Sequence, residues 1–501
     1  MPFYEKLRIT ESHSAAAIAR NKRIARNLLR LKESLRDHLG IEDLSKGIQE
    51  LVTVRDSSQF LRLATWNIRE FDSEKYGKRL DESIYYIAEI ISHFDLVAIQ
   101  EVREDRQALE EVMEILGPAW EYISTDVTEG DPGNRERMVF VFNAHKVLFK
   151  RVAGEVLLPK DNMDQMVHLK KEVVIQMPDD QPLVLREGVR TYKRSGKEKL
   201  KEEVRMRVPE NSKLVLPQGS SLILPKGTLI ERTADDQIFV PAQNGYKDIL
   251  LTLPHRVMVP EDLEFARTPF LVSFQTGWLN LNLCTVHIYY GTGELGMRRR
   301  KAEIYRLTDF LAERAQSDHD SDANSFFIAL GDFNIVDREH DTMRALERHG
   351  FVVPEKLQRL PGSNVEKDKY YDQIAYWKNP KEGEERSRSV VEVDVLRANV
   401  FDFFESVFRY FDLPEDDPGP EPEQTDFNEY YDNISTFRRQ IVEALEKKAK
   451  RKGAPLTLDE ERKEKRKKYR DWRTYQMSDH LPMWVELRID FGDDYLAAIV
   501  E

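Results

Sequence analysis

From Leu61 to Ile489 the chain alternates between two hydrophobic periods. Short continuous apolar runs suit strands covered on both faces, while apolar residues spaced three or four apart suit helices with one buried side. Leu61–Trp66, Asp95–Ile99, Tyr122–Ile123, Met138–Phe142, Pro269–Gln275, Leu279–Thr285, Phe326–Leu330, Tyr370–Tyr376 and Met483–Ile489 read as strands. Asp81–Ser92, Leu109–Leu116, Met297–Ala315 and Thr342–His349 read as helices. Such alternation predicts an α/β body over residues 61–490.

Residues 1–60 read as a helical N-terminal extension. Ile18, Ile24, Leu28, Leu31 and Leu35 recur at helical spacing between Ser14 and Leu39, and Arg20, Lys22, Arg23, Arg26, Arg30, Lys32 and Arg36 make the other face basic. The expectation is a helix docked on the body with its basic face in solvent. Two insertions interrupt the α/β pattern. Residues 159–260 mix short Val/Leu/Ile runs with Pro, Gly and charge, which predicts a β-rich insertion; helical spacing surfaces only in Ser195–Val204. Within it Leu214–Gly219 is nearly repeated as Leu222–Gly227. Residues 412–470 combine an acidic, proline-rich loop at Pro414–Pro422 with charged helices at Ser435–Lys452 and Leu458–Tyr469. Residues 491–501 are left as a tail.

Composition narrows the class. A charged fraction of 33% and the lack of any apolar run of bilayer length argue against stable membrane insertion. The single cysteine, Cys284, excludes an internal disulfide; with no basic-then-apolar leader, the expected location is cytoplasmic. A net charge of −13 argues against a general nucleic-acid coat protein but permits an enzyme that holds a polyanion through a local basic rim and bound cations.

The polar residues that close the strand candidates carry the chemistry. Asn67, Glu101, His287, Asp332, Asn334, Asp372, Asp479 and His480 each stand at or just past a strand end. Asp332 and Asn334, two apart, would share a direction in an extended segment. Carboxylates and amides favour hard cations, Mg²⁺ or Mn²⁺ with Ca²⁺ as a further candidate, over zinc. Two histidines distant in sequence could act as acid and base on opposite sides of a phosphorus centre. Phosphate-ester hydrolysis requires such a set.

Ala64–Arg69 (ATWNIR), Phe94–Arg103 (FDLVAIQEVR), Glu136-Arg137, Arg267–Phe270 (RTPF), Thr285–His287 (TVH), Gly331–Asn334 (GDFN), Tyr371–Ile374 (YDQI) and Ser478–Pro482 (SDHLP) carry a resemblance. In this order they resemble the endonuclease/exonuclease/phosphatase superfamily, nearest its deoxyribonuclease-I-like branch. The resemblance implies a four-layer α/β sandwich, two mixed β-sheets flanked by helices. It implies a divalent metal held chiefly by Glu101, with Asn67 and Asp479 close by. His480 and His287 would be the acid/base pair, oriented by Asp372 and Glu136 respectively. Asp332 and Asn334 would position water, phosphate and a second metal. Arg69, Arg103, Arg137 and Arg267 match positions where that branch contacts phosphates or the minor groove. The implied activity is metal-dependent phosphodiester hydrolysis, as a nuclease, specifically an endonuclease on DNA. The alternative is a phosphomonoesterase or a phospholipid/inositol-phosphate phosphoesterase of the same superfamily, although Tyr370–Gln373 (YYDQ) lacks the Trp-Cys-Asp-Arg signature of the inositol branch. Asn134 replaces the branch's tyrosine, and both insertions and the absence of disulfides depart from it. Which histidine begins as base, and whether one or two metals act, stay open.

Overall fold

Leu61, Leu63, Ala64, Trp66 and Ile68 are all fully buried, as a strand walled on both faces requires. They belong to β1 (Phe60–Phe71), the centre of the first sheet in this computed structural model. The structure describes residues 2–40, 57–73, 78–127, 135–156, 265–291, 293–319, 324–379, 391–409 and 426–500, together with the backbone of short strands between residues 165 and 252.

The remaining strands of the main body are β2 (Leu96–Arg103), β3 (Trp120–Ser124), β4 (Glu136–Asn143), β5 (Leu148–Glu155), β6 (Phe270–Thr276), β7 (Leu279–His287), β8 (Ser325–Asp332), β9 (Phe351–Val352), β10 (Asp372–Trp377), β11 (Val395–Val400) and β12 (Met483–Arg488). One six-stranded sheet has the order β11-β12-β1-β2-β4-β3 and the other β9-β10-β8-β7-β6-β5. Both are mixed. β1 runs parallel to β2 and antiparallel to β12, and β8 runs parallel to β7 and antiparallel to β10. The sheets meet through aromatic rings: Phe140 and Phe142 of β4 pack on Phe274 of β6 with centroids 5.6 and 5.3 Å apart.

Helices cover the outer faces. α1 (Ala15–Leu39), α2 (Asp81–Ile91) and α3 (Gln107–Leu116) share one core cluster with Trp66, Ile68, Val97 and Ile99. On the other sheet α4 (Gly293–His319) buries Ile304, Leu307 and Leu311 and packs against β8. Helix, sheet, sheet, helix gives the four-layer sandwich. No helix among the described residues is long and apolar enough to cross a membrane.

The basic face of α1 differs from expectation. Arg23 is buried and reaches Glu82 of α2 through Nε at 3.0 Å and Nη2 at 2.9 Å, with Tyr86 beside them. Arg20 pairs with Asp81, Arg26 with Glu429 and Arg30 with Asp426. The face that the sequence assigns to solvent is therefore largely an ion-paired seam, because the body supplies carboxylates opposite it.

α5 (Asp341–Leu346) stops short of the expected His349; a 3₁₀ turn follows at Arg348–Gly350, with His349 at φ 61°. Beyond α6 (Glu355–Gln358), α7 (Phe427–Asn433) and α8 (Ser435–Lys452), α9 (Leu458–Gln476) runs past the expected Tyr469. It does so because Tyr469, Trp472 and Tyr475 keep finding apolar partners, Trp472 stacking on Phe437 at 4.4 Å. Pro414–Pro422 lies outside the described residues. α10 (Gly492–Val500) occupies the segment left as a tail.

Leu157–Glu264 forms a second unit. Its described backbone is a set of antiparallel pairings. The helical spacing at Ser195–Val204 does not yield a helix, since Gly196–Lys199 and Val204–Val208 are strands. The near-repeats fall in different sheets: Lys213–Leu216 pairs with Val173–Gln176, and Ser221–Leu224 with Gln165–His168.

Removing one partner of a buried ion pair leaves an uncompensated charge. Glu82→Ala is expected to destabilise the chain by about 3–5 kcal/mol in chemical denaturation. A change below about 1 kcal/mol would show that α1 is not docked on α2 as described.

Candidate active site

Two irregularities aim the side chains of the first sheet. The β1–β2 pairing runs regularly to Asn67↔Gln100 and then slips before Phe71↔Val102; β2–β4 slips between Ile99 and Val102. Glu101 sits in the slip with φ 65°, a conformation rare for a residue with a side chain. There its carboxylate accepts hydrogen bonds from Asn67 Nδ2 (3.0 Å) and the Glu70 N–H (2.8 Å). Backbone strain of this kind costs about 1–3 kcal/mol and is retained where the surroundings fix it.

In the second sheet, strand register alone assembles the partners. Asp332 lies opposite His287 in the β7–β8 pairing and opposite Asp372 in the β8–β10 pairing. Gly331, at φ 131°, leaves room for this: a Cβ there would stand 2.2 Å from the Val286 carbonyl oxygen. The Asn67 amide bridges the sheets at the site, since Nδ2 also donates to Asp332 Oδ2 at 2.9 Å.

Each histidine has a carboxylate on one ring nitrogen and faces Asp332 with the other. His287 Nδ1 lies 2.9 Å from Glu136 Oε2, a short contact poorly aligned with the ring N–H direction. Its Nε2 lies 3.5 Å from Asp332 Oδ2 and 3.9 Å from Glu101 Oε1. His480 Nδ1 is 2.8 Å from Asp372 Oδ2, and its Nε2 is 3.9 Å from Asp332 Oδ2. A carboxylate behind an imidazole fixes its tautomer and favours the protonated ring. Burial alone would push His480 down, but Asp372 and Asp332 reverse this and hold it well above its ordinary value. Burial likewise opposes ionisation of Glu136, yet His287, Arg267 and Arg103 hold its carboxyl down to about 2. Burial and the charges of Glu136 and Asp479 push Glu101 up.

The donor set suits a hard cation. Asn67 Oδ1 is buried without a hydrogen-bond partner, and no Lys or Arg lies within 4 Å of Glu101 among the described residues. A cation beside them would satisfy the orphaned oxygen and offset the repulsion felt by Glu101. Asp479 is half-exposed at the rim, with Arg69 Nε 3.9 Å away. Asp332, Asp372 and His480 also bring ligand atoms within 4.8 Å of one another and could hold a metal. In that group Asp372 Oδ2 is already engaged by His480 Nδ1 and by Ser363 Oγ at 2.6 Å, while its Oδ1 is buried without a hydrogen-bond partner.

The structure thus gathers Asn67, Glu101, Glu136, His287, Asp332, Asp372 and His480. Asn334 departs from expectation. The chain turns after Asp332 (Asn334 φ 53°), so Asn334 Nδ2 donates to the Ile288 carbonyl at 2.7 Å, and the shared direction of an extended segment is lost. Its N–H instead donates to Asp332 Oδ1 at 2.8 Å. Three of the four arginines hold the protein itself: Arg267 bonds Glu136 (2.6 Å), Arg103 bonds Glu70 (2.7 Å), and Arg137 bonds the Thr125 carbonyl (2.8 Å). Arg69 bonds Thr474 Oγ1 at 2.8 Å beside the pocket. Asn134 lies outside the described residues.

Sequence reasoning misses Ser363, Ser478 and Tyr371. Ser478 Oγ donates to the Asn67 carbonyl (2.6 Å) and accepts from the N–H groups of His480 and Arg69. Tyr371 stacks on the His480 ring at 5.4 Å. Ser478 and Tyr371 open two of the quoted motifs without being given a role there; Ser363 has no local signal.

Two mixed sheets flanked by helices, with polar strand ends meeting across them, make a four-layer α/β sandwich. No family model and no curated protein matches the chain. Among solved structures the chain is similar to an endonuclease/exonuclease/phosphatase family protein from Bacteroides thetaiotaomicron, at 13% identity over 86% of this chain and 95% of that one, with a TM-score of 0.36. A mannosyl-6-phosphatase from Bacteroides thetaiotaomicron VPI-5482 matches at 13% identity over 85% and 99% (TM-score 0.36). D. rerio TDP2 complexed with a single-strand DNA product matches at 9% over 86% and 100% (TM-score 0.36).

The depressed Glu136 carboxyl gives a signed pH dependence. Its contribution to stability is fully present above the ordinary value of 4.5 and is lost as pH falls towards about 2. Glu136→Gln should therefore lower stability at pH 7 by about 3 kcal/mol, with the gap to wild type closing between pH 4.5 and 2 in acid-unfolding curves. A gap independent of pH would contradict the His287–Glu136–Arg267 charge cluster.

Proposed function

We propose that the chain hydrolyses phosphoric esters with a divalent metal, Mg²⁺ or Mn²⁺, and that its substrate is nucleic acid, cut internally and most specifically as DNA. The observation that carries the reading is the meeting of two carboxylate-backed histidines, Asp332 and Glu101 around the Asn67 amide.

Glu101 would hold the metal, with Asn67, Asp479 and Asp332 around it. When bound, the ion supplies charge to offset the phosphate and polarises its oxygens. The protein's own groups supply the rest. His480, held protonated by Asp372 and Asp332, has its proton at Nε2 on the pocket side, suited to the leaving oxygen. His287, backed by Glu136, presents Nε2 beside Asp332 for the opposite proton transfer. Asp332 accepts from Asn67 and stands between both rings, which favours a role in orienting water. Arg69, next to Asp479 at the rim, is the best placed of the four arginines to meet a phosphate.

The test is nicking of supercoiled plasmid by the purified chain with Mg²⁺ or Mn²⁺. Glu101→Gln and His480→Ala should each lower the rate by about 10²–10⁴-fold, and chelation should abolish it. Full activity in either variant or in chelator would sink the proposal. Hydrolysis of phosphomonoesters or lipid phosphoesters without any cleavage of DNA would retain the chemistry and replace the substrate.

A further inference from the structure

The pocket has one wall that the catalytic set does not explain. Three residues past His287, Tyr290 is 49% exposed. Its ring meets Tyr371 edge-on at 6.3 Å, and Tyr371 in turn stacks on His480. An exposed tyrosine in a loop is ordinarily mobile and needs no explanation. This one is fixed at unusual expense. Arg300 of α4, only 1% exposed, donates from Nε to the Tyr289 carbonyl (3.1 Å), from Nη2 to the Gly291 carbonyl (3.2 Å) and from Nη1 to the Asn334 carbonyl (2.7 Å). One buried guanidinium therefore ties both flanks of Tyr290 to the turn that follows Asp332. The same guanidinium carbon lies 5.1 Å from the Tyr290 ring centroid, which covers one side of the ring.

A half-exposed aromatic ring held by its neighbours, in continuous ring contact with the His480 imidazole, is a stacking surface built in advance. Every nucleobase has a flat π-face, and stacking on a fixed tyrosine loses little side-chain entropy. We infer that Tyr290 is a base-stacking subsite, which takes the nucleobase next to the scissile phosphate on the His480 side. The inference rests on the nucleic-acid reading above and narrows it: the enzyme would prefer a nucleotide with an unstacked base to a bare sugar-phosphate. An unstacked base is available in single strands and at ends or frayed sites, so such substrates should be favoured over intact duplex.

The test uses the full-length chain with two short single-stranded substrates, one fully based and one with a tetrahydrofuran abasic residue beside the cleaved phosphate. Stacking on one aromatic ring corresponds to about a 5- to 150-fold effect. Tyr290→Ala should lower kcat/KM on the based substrate about 10-fold or more, chiefly through KM, and leave the abasic substrate unchanged. Tyr290→Trp should retain the preference for a base, whereas Tyr290→Leu should not restore it. Equal losses on both substrates would assign Tyr290 a packing role and overturn the inference, as would no loss on either. Quenching of a 2-aminopurine oligonucleotide provides a readout independent of turnover. Quenching by wild type that is lost in Tyr290→Ala, without turnover by either, would sink the hydrolase reading and leave the subsite standing. Equal quenching by both proteins would sink the subsite.

Discussion

One side-chain amide links the polar ends of the two sheets. Asn67 Nδ2 donates to Glu101 on the first sheet and to Asp332 on the second, so two carboxylates that would repel are spaced by a shared donor. Deeper in the sandwich, Gln100 Nε2 reaches Thr285 Oγ1 at 2.8 Å across the same sheets. Buried polar links in a low-dielectric interior are costly when broken, so these bonds fix one relative position of the sheets. The price of the arrangement is visible nearby: a non-glycine residue, Glu101, in the left-handed region and an acceptor, Asn67 Oδ1, left without a partner. Both are intelligible if the cluster is built to receive a cation.

Charge placement around that amide follows a consistent logic. Glu136 is neutralised by His287, Arg267 and Arg103, and its carboxyl is held low; Glu101, with no Lys or Arg within 4 Å among the described residues, is pushed up by burial and by the charges of Glu136 and Asp479. Positive charge is thus used to position His287, while the pocket itself stays electronegative and open to a metal. On the other side Ser363 and Asp372 hold His480, and Tyr371 covers the ring. The arginines near the site mostly serve this scaffold.

The sandwich was legible in the sequence because buried strands are continuous apolar runs, and β1, β7 and β8 announce themselves by composition. Six of the gathered side chains were legible because each closes a strand or sits beside one; Glu136 entered only through the motif resemblance. What was not legible depends on neighbours distant in sequence. The basic face of α1 looks solvated until Glu82, Asp81 and Glu429 are brought opposite it. Asn334 looks parallel to Asp332 until the chain takes a left-handed turn between strand and loop. Ser363 binds Asp372 through a loop that no periodicity marks, and the extra turns of α9 follow from an aromatic cluster assembled from three segments. In residues 196–199, four residues cannot distinguish helix from strand by spacing, and strand pairing decided it.

The central claim is that the Asn67-linked carboxylates form the cation site. Anomalous diffraction from crystals of the full chain grown with Mn²⁺ tests it most directly. The account predicts a peak beside the Glu101 carboxylate and Asn67 Oδ1, lost in Glu101→Gln. A peak confined to Asp332, Asp372 and His480, or none near Glu101 at saturating Mn²⁺, would contradict it.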